Sequence, residues 1–205
     1  MLKKVLFLFT LASVNLFAKT NTLSPTDSLE RLKAGNHRFV TETLEHPDRS
    51  SERRAELQNN QAPFAIVLSC SDSRVSPEII FDAGLGDLFI IRVAGNVLGP
   101  TELESIKYSV LANRSSLILV LGHENCGAIQ AVLQNKTQDI ETIAELIEPA
   151  ILESNSLESA ITDNVNHIVN ALKSSPILSQ FISLKALNIV GGYYHFETGV
   201  VDFIE

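Results

Sequence analysis

The run Phe64-Ala65-Ile66-Val67-Leu68-Ser69 goes straight into Cys70-Ser71-Asp72-Ser73-Arg74. Its first half is short and almost unbroken in apolar character, the pattern of a strand covered on both faces, and it ends in polar residues able to do chemistry. Residues 87–93 and 115–121 repeat the apolar pattern. Helical segments separate these runs: a short one over 77–82, a longer one over 101–113, and another beginning near Cys126. Strands alternating with helices build a parallel sheet with right-handed crossovers, and ligands of such sheets sit beyond the carboxyl ends of the strands.

Outward from this centre, residues 138–184 read as helices, with Ile161, Val165, Ile168, Val169 and Leu172 making one apolar face. Residues 186–191 form a further strand, and residues 199–204 a last one, antiparallel at the edge. Toward the amino end, Ser24-Pro25-Thr26-Asp27 carries helix-start chemistry, with Leu29, Leu32, Phe39 and Val40 at near-helical spacing, and a charged helix covers residues 49–59. The expectation is an α/β fold: a central, mostly parallel sheet of about four strands with an antiparallel edge strand, flanked by helices, behind an N-terminal helical arm. No repeat and no interdomain linker interrupts it, so residues 19–205 read as one domain.

Residues 1–18 read as a signal peptide: Lys3 and Lys4 precede a 14-residue stretch, Val5 to Ala18, of which eleven are apolar. A membrane anchor is the alternative, disfavoured because a span needs roughly 20 apolar residues. Cleavage after Ala18 removes two cations and no acid, taking the net charge from −8 to −10. The expected location is exported, periplasmic, with no stable membrane span after cleavage. With 16 Lys plus Arg dispersed against 24 Asp plus Glu, nothing in the chain neutralises a run of phosphates, so nucleic acid is excluded as a partner.

The chain of 205 residues has two cysteines. In an oxidising compartment their default meaning is one disulfide. Their positions offer another. Cys70 leaves the first strand, while His123 and Cys126 leave the third in Gly122-His123-Glu124-Asn125-Cys126-Gly127, so all three fall at one sheet edge. Two thiolates and an imidazole are a recognised zinc set, and three protein ligands with a fourth position open are the catalytic pattern. A Cys70–Cys126 disulfide would leave Asp72, Arg74 and His123 clustered without a role. Gly84-Leu85-Gly86 precedes a strand and is no dinucleotide loop. His37, His46, His167 and His195 read as ordinary surface or core histidines, and the glycosylation patterns at Asn113 and Asn135 are short enough to arise by chance.

Cys70-Ser71-Asp72-Ser73-Arg74, followed about fifty residues later by Gly122-His123-x-x-Cys126-Gly127, resembles the β class of carbonic anhydrases. The similarity extends over nearly all of the chain after residue 18, including the closing hairpin Gly191-Gly192-Tyr193-Tyr194-His195-Phe196-Glu197-Thr198-Gly199. It implies one zinc ion per chain, held by Cys70, His123 and Cys126, and reversible hydration of carbon dioxide to bicarbonate and a proton. It further implies that Arg74 holds Asp72 off the metal so that Asp72 accepts a hydrogen bond from metal-bound solvent, or, with that pair broken, that Asp72 becomes the fourth ligand and closes the site. Gln61, Phe89 and Tyr108 match the plant-type subgroup, Gln61 as an amide donor to substrate oxygen and the aromatic pair as an apolar slot for carbon dioxide. Gly127 would be a backbone donor beside the metal.

The resemblance also implies a homodimer or homotetramer, built partly by the N-terminal helix reaching across. Departures from the pattern are Ala94, where the subgroup favours a larger Val, and Val67, where another subgroup carries the Trp of an inhibitory bicarbonate site, which leaves Arg92 structural or at an interface. Relatives of this fold that hydrolyse carbonyl sulfide or carbon disulfide supply a second enzymatic reading, and a non-catalytic bicarbonate-binding module a third.

Overall fold

The structure is a computed structural model that describes residues 22–204, so the expected signal peptide lies outside the described residues. Helix α1, Pro25–Val40, starts where Ser24 Oγ accepts from Asp27 N at 3.1 Å, with Pro25 at its first position, and buries Leu29 and Leu32 against the chain's own sheet. Helix α2 is only Ser51–Glu56, shorter than the expected 49–59. None of its residues is buried, so no packed face prolongs it.

Strand β1, Ala65–Ser69, leads through helix α3, Pro77–Ile80, to β2, Leu88–Arg92. A 3-10 turn, Ala94–Asn96, precedes α4, Pro100–Tyr108, which gives way to a π turn, Ser109–Asn113, that stops at left-handed Arg114. The expected single helix over 101–113 is thus divided. Strand β3, Leu117–His123, is followed by helices α5, Gly127–Leu133, α6, Glu141–Ile151, α7, Leu157–Lys173, and α8, Pro176–Ser183, then by strands β4, Asn188–Tyr194, and β5, Val201–Ile204.

The sheet order is β2-β1-β3-β4-β5, with β2, β1, β3 and β4 parallel and β5 antiparallel at the edge, as expected. Alternation sends Ala65, Val67, Leu117, Leu119 and Leu121 to the face covered by α1 and α3. Ile66, Leu68, Ile118 and Val120 go to the face covered by α4, α7 and α8, where Val165, Ile168, Val169 and Leu172 meet them; Ile161, the remaining member of the expected α7 face, packs in the cluster around the cysteines. Each such Leu, Ile or Val contributes roughly 1.5–3 kcal/mol by leaving water.

Two strands run further than expected. β3 reaches His123 and β4 reaches Tyr194, each through glycine. Gly122 and Gly191 are extended, and their lack of a side chain admits α7: a Cβ at Gly122 would lie 2.7 Å from Val165 Cγ2, and one at Gly191 2.6 Å from Val165 Cγ1. The site is therefore set by strand ends pressed against a helix. Among the described residues, no helix is long and apolar enough to cross a membrane.

Candidate metal centre

Cys70 follows the last residue of β1, His123 is the last residue of β3 itself, and Cys126 caps the start of α5. Their ligand atoms lie within 4.8 Å of one another and all three residues are buried, Cys70 and Cys126 as free thiols. His123 Nδ1 is 2.8 Å from the Glu124 carbonyl, so Nδ1 carries the proton and donates, and Nε2 keeps its lone pair. That Nε2 is buried with no hydrogen-bond partner. A bare buried acceptor costs about 1–3 kcal/mol, and a cation among the three ligand atoms answers it.

The two thiols are electrically coupled. Hydrogen bonding from Cys126, with smaller help from backbone amides including Gly95 N at 3.3 Å, outweighs burial and pulls the Cys70 thiol far below its ordinary value. The Cys70 charge, together with burial, pushes Cys126 strongly up. On their own the pair hold one negative charge; two thiolates side by side require a positive partner. Three donors with this composition suit zinc, and as three they leave a coordination position for solvent or substrate.

Asp72 stands beside this cluster and outside it. Its Oδ1 accepts from Arg74 N and Nε, both at 2.9 Å, and its Oδ2 accepts from Arg74 Nη2 at 2.7 Å. The Arg74 hydrogen bonds hold the Asp72 carboxyl well below the usual carboxylate range. Of the two arrangements open to the sequence, the structure therefore has Asp72 on Arg74 and not among the ligands.

Three residues that the sequence left without a task support these groups. Arg92 Nε donates to Cys70 O at 3.1 Å and its Nη2 to Asp72 O at 2.7 Å, so Arg92 clamps the loop that carries both side chains, the structural role among the two expected for it. Phe196 lies under the Arg74 guanidinium, 4.1 Å from ring centroid to Cζ, and its centroid is 5.4 Å from that of His123. Glu124 orients His123 through its carbonyl and ties down Phe196, whose N donates to Glu124 Oε2 at 2.9 Å. Glu124 and Phe196 both lie inside motifs visible in the sequence, but nothing in their spacing says that the hairpin folds back onto the β1 exit.

Gly127 opens α5 on the exposed side of Cys126, and a Cβ there would meet nothing within 4 Å. Gln61, Phe89 and Tyr108 lie elsewhere. Gln61 is exposed in the loop before β1, near Leu57 and Leu85 at the amino edge of the sheet. Phe89 pairs in register with Ile66, four residues before Cys70, which is about 13 Å along the strand. Tyr108 packs on Phe89 with centroids 6.3 Å apart. Within one chain, then, Gln61 precedes β1 and Phe89, with Tyr108 packed on it, lies beside the first half of β1, while Cys70 leaves its far end.

A family profile described as carbonic anhydrase matches residues 65–201. A carbonic anhydrase of Mycolicibacterium smegmatis is 38% identical over 191 residues, spanning 87% of this chain and 93% of its own. Carbonic anhydrase 2 of Mycobacterium tuberculosis is 36% identical over 188 residues, 86% of this chain and 91% of its own. Among solved structures, a Coccomyxa β-carbonic anhydrase in complex with acetazolamide superimposes with a TM-score of 0.66 at 28% identity, covering 85% of each chain.

Proposed function

The chain belongs to the β class of the carbonic anhydrase family, and from that premise we propose that it catalyses the zinc-dependent reversible hydration of carbon dioxide to bicarbonate and a proton. The observation that carries this reading is the buried convergence of Cys70, His123 and Cys126, with an unpartnered His123 Nε2, beside an ionised Asp72. One zinc ion bound there supplies a Lewis acid that makes a nucleophile of water near neutral pH. The chain's own residues do the rest. Arg74 takes both Asp72 oxygens and so keeps the carboxylate from competing for the cation. An oxygen of Asp72 still has a lone pair with which to accept a proton donor at the mouth of the site. Because Arg74 keeps its pKa low, Asp72 stays an acceptor and orients that proton without taking it. Gly127, an exposed residue directly after Cys126 at the start of α5, offers its main-chain N–H as a donor to a small oxyanion.

Gln61, Phe89 and Tyr108 enter through a second copy of the chain. Strand β2 is an open sheet edge whose Leu88, Phe89, Ile90 and Ile91 are only partly buried, and Tyr108 is 57% exposed beside it. An apolar edge of this kind invites a partner. We assign the homodimer, paired again or not, to this edge, with the three residues of one copy serving the site of the other. Export to the periplasm after cleavage at residue 18 belongs to the same proposal.

The test is stopped-flow carbon dioxide hydration together with metal analysis on the chain without residues 1–18. About one zinc per chain with hydration at pH 7–9 supports the reading. One zinc per chain with bicarbonate binding but no hydration, or with hydrolysis of carbonyl sulfide or carbon disulfide alone, overturns it.

A further inference from the structure

Helix α7 buries an almost wholly apolar face: Ala160, Ile161, Val165, Ile168, Val169 and Leu172. The exception is Asn164, which is fully buried in that face. Its side chain makes one hydrogen bond, from Nδ2 to the Gly95 carbonyl at 3.0 Å, and its Oδ1 is buried without a partner. The contact fixes the amide's orientation, since a flipped side chain would set oxygen against oxygen. A carboxamide kept inside an apolar interface for a single bond to one carbonyl calls for a reason that packing does not provide.

Gly95 supplies the reason. It sits in the Ala94–Asn96 turn with φ 69° and ψ 14°, and its own N–H donates to Cys70 Sγ at 3.3 Å. Glycine suits the place: the backbone is left-handed, and a Cβ would come within 2.9 Å of Ile147 Cδ1, which would have to shift. A glycine has no side chain with which to hold its place. The Asn164 bond restrains the peptide on the carbonyl side of the Gly95 Cα, next to the peptide whose N–H meets Cys70 Sγ, and so narrows the range over which the pair can pivot. We propose that Asn164 is a positioning residue of the metal centre, reaching from α7 to lock Gly95 so that its amide stays on the Cys70 sulfur. An N–H aimed at a thiolate draws charge from it and so adjusts how strongly that sulfur donates to a cation. The inference rests on the metal reading above for its consequence, but the lock itself is a property of the chain.

Two measurements on Asn164→Leu test it. In the metal-free protein, hydrogen exchange at the Gly95 amide should be about tenfold faster than in the wild type, the factor expected for one lost hydrogen bond, with exchange in β3 unchanged. In the cobalt(II)-substituted protein, the thiolate-to-metal charge-transfer band should move to longer wavelength while metal still binds at one per chain. Wild-type exchange at Gly95 together with an unshifted band overturns the proposal and reduces Asn164 to packing. If the leucine variant does not fold, Asn164→Ala removes the donor without a branched replacement, and the same two readouts decide. A wild type that takes up no cobalt sinks the metal reading, whereas the Gly95 exchange still decides whether Asn164 is the lock.

Discussion

Asp72 and Arg74 are two residues apart, and the main-chain N–H of Arg74 joins its side chain in gripping the carboxylate. That grip depends on a planar fork, which lysine lacks. Arg74→Lys should therefore keep the zinc and lose much of the hydration rate, on the order of 10²-fold, as expected when a positioned proton-handling group is misplaced; kcat with metal content checks this. The same pair has a signature in stability. The folded pKa of Asp72 lies below the unfolded value of about 3.9, so its contribution is full above that pH and fades as the pH falls toward the folded value. The difference in Tm between the wild type and Arg74→Ala should be constant from pH 5 to 8 and shrink below about pH 4, as thermal melts across pH would show. A gap that persists unchanged at low pH would assign the effect to Arg74 stacking on Phe196.

At the scale of the elements, the site exists because β3 and β4 continue through glycines that α7 can touch. Gly122→Ala should push Cβ into Val165 and Ile161, costing about 1–3 kcal/mol of overpacking and hence several degrees of Tm. Gly127→Ala, where a Cβ meets nothing, should stay within about 0.5 kcal/mol in stability, so any loss it causes would appear in hydration. These glycines also mark the limit of what is legible in the chain. The cores of β1, β2 and β3 are plain from their unbroken apolar runs, and Cys70 and Cys126 from their place at the runs' ends. Glycine by itself reads as a strand breaker, and only the approach of α7, distant in sequence from both Gly122 and Gly191, shows why a strand tolerates it. For the same reason Arg92, Glu124, Phe196 and Asn164 carry no local signal: each acts through a contact that folding makes and spacing does not encode.

The described chain is a sheet with a Cys-His-Cys group able to hold a metal at its carboxyl edge and an apolar strand left partly uncovered at one side. The proposed assignment of Gln61, Phe89 and Tyr108 to the site of a second copy has no counterpart in the sequence, since position along a chain does not say which copy a residue serves. Tyr108→Glu, at an exposed position, should release monomers in light scattering and lower hydration about tenfold or more while zinc stays at one per chain. Under the proposed function, Cys70, His123 and Cys126 together hold the metal on which activity depends. Its most direct test is Cys126→Ser, measured for bound zinc and carbon dioxide hydration in the same preparation. Loss of both, with the far-ultraviolet circular dichroism of a folded chain, is the expected result; a variant that keeps its zinc and hydrates carbon dioxide at the wild-type rate would contradict it.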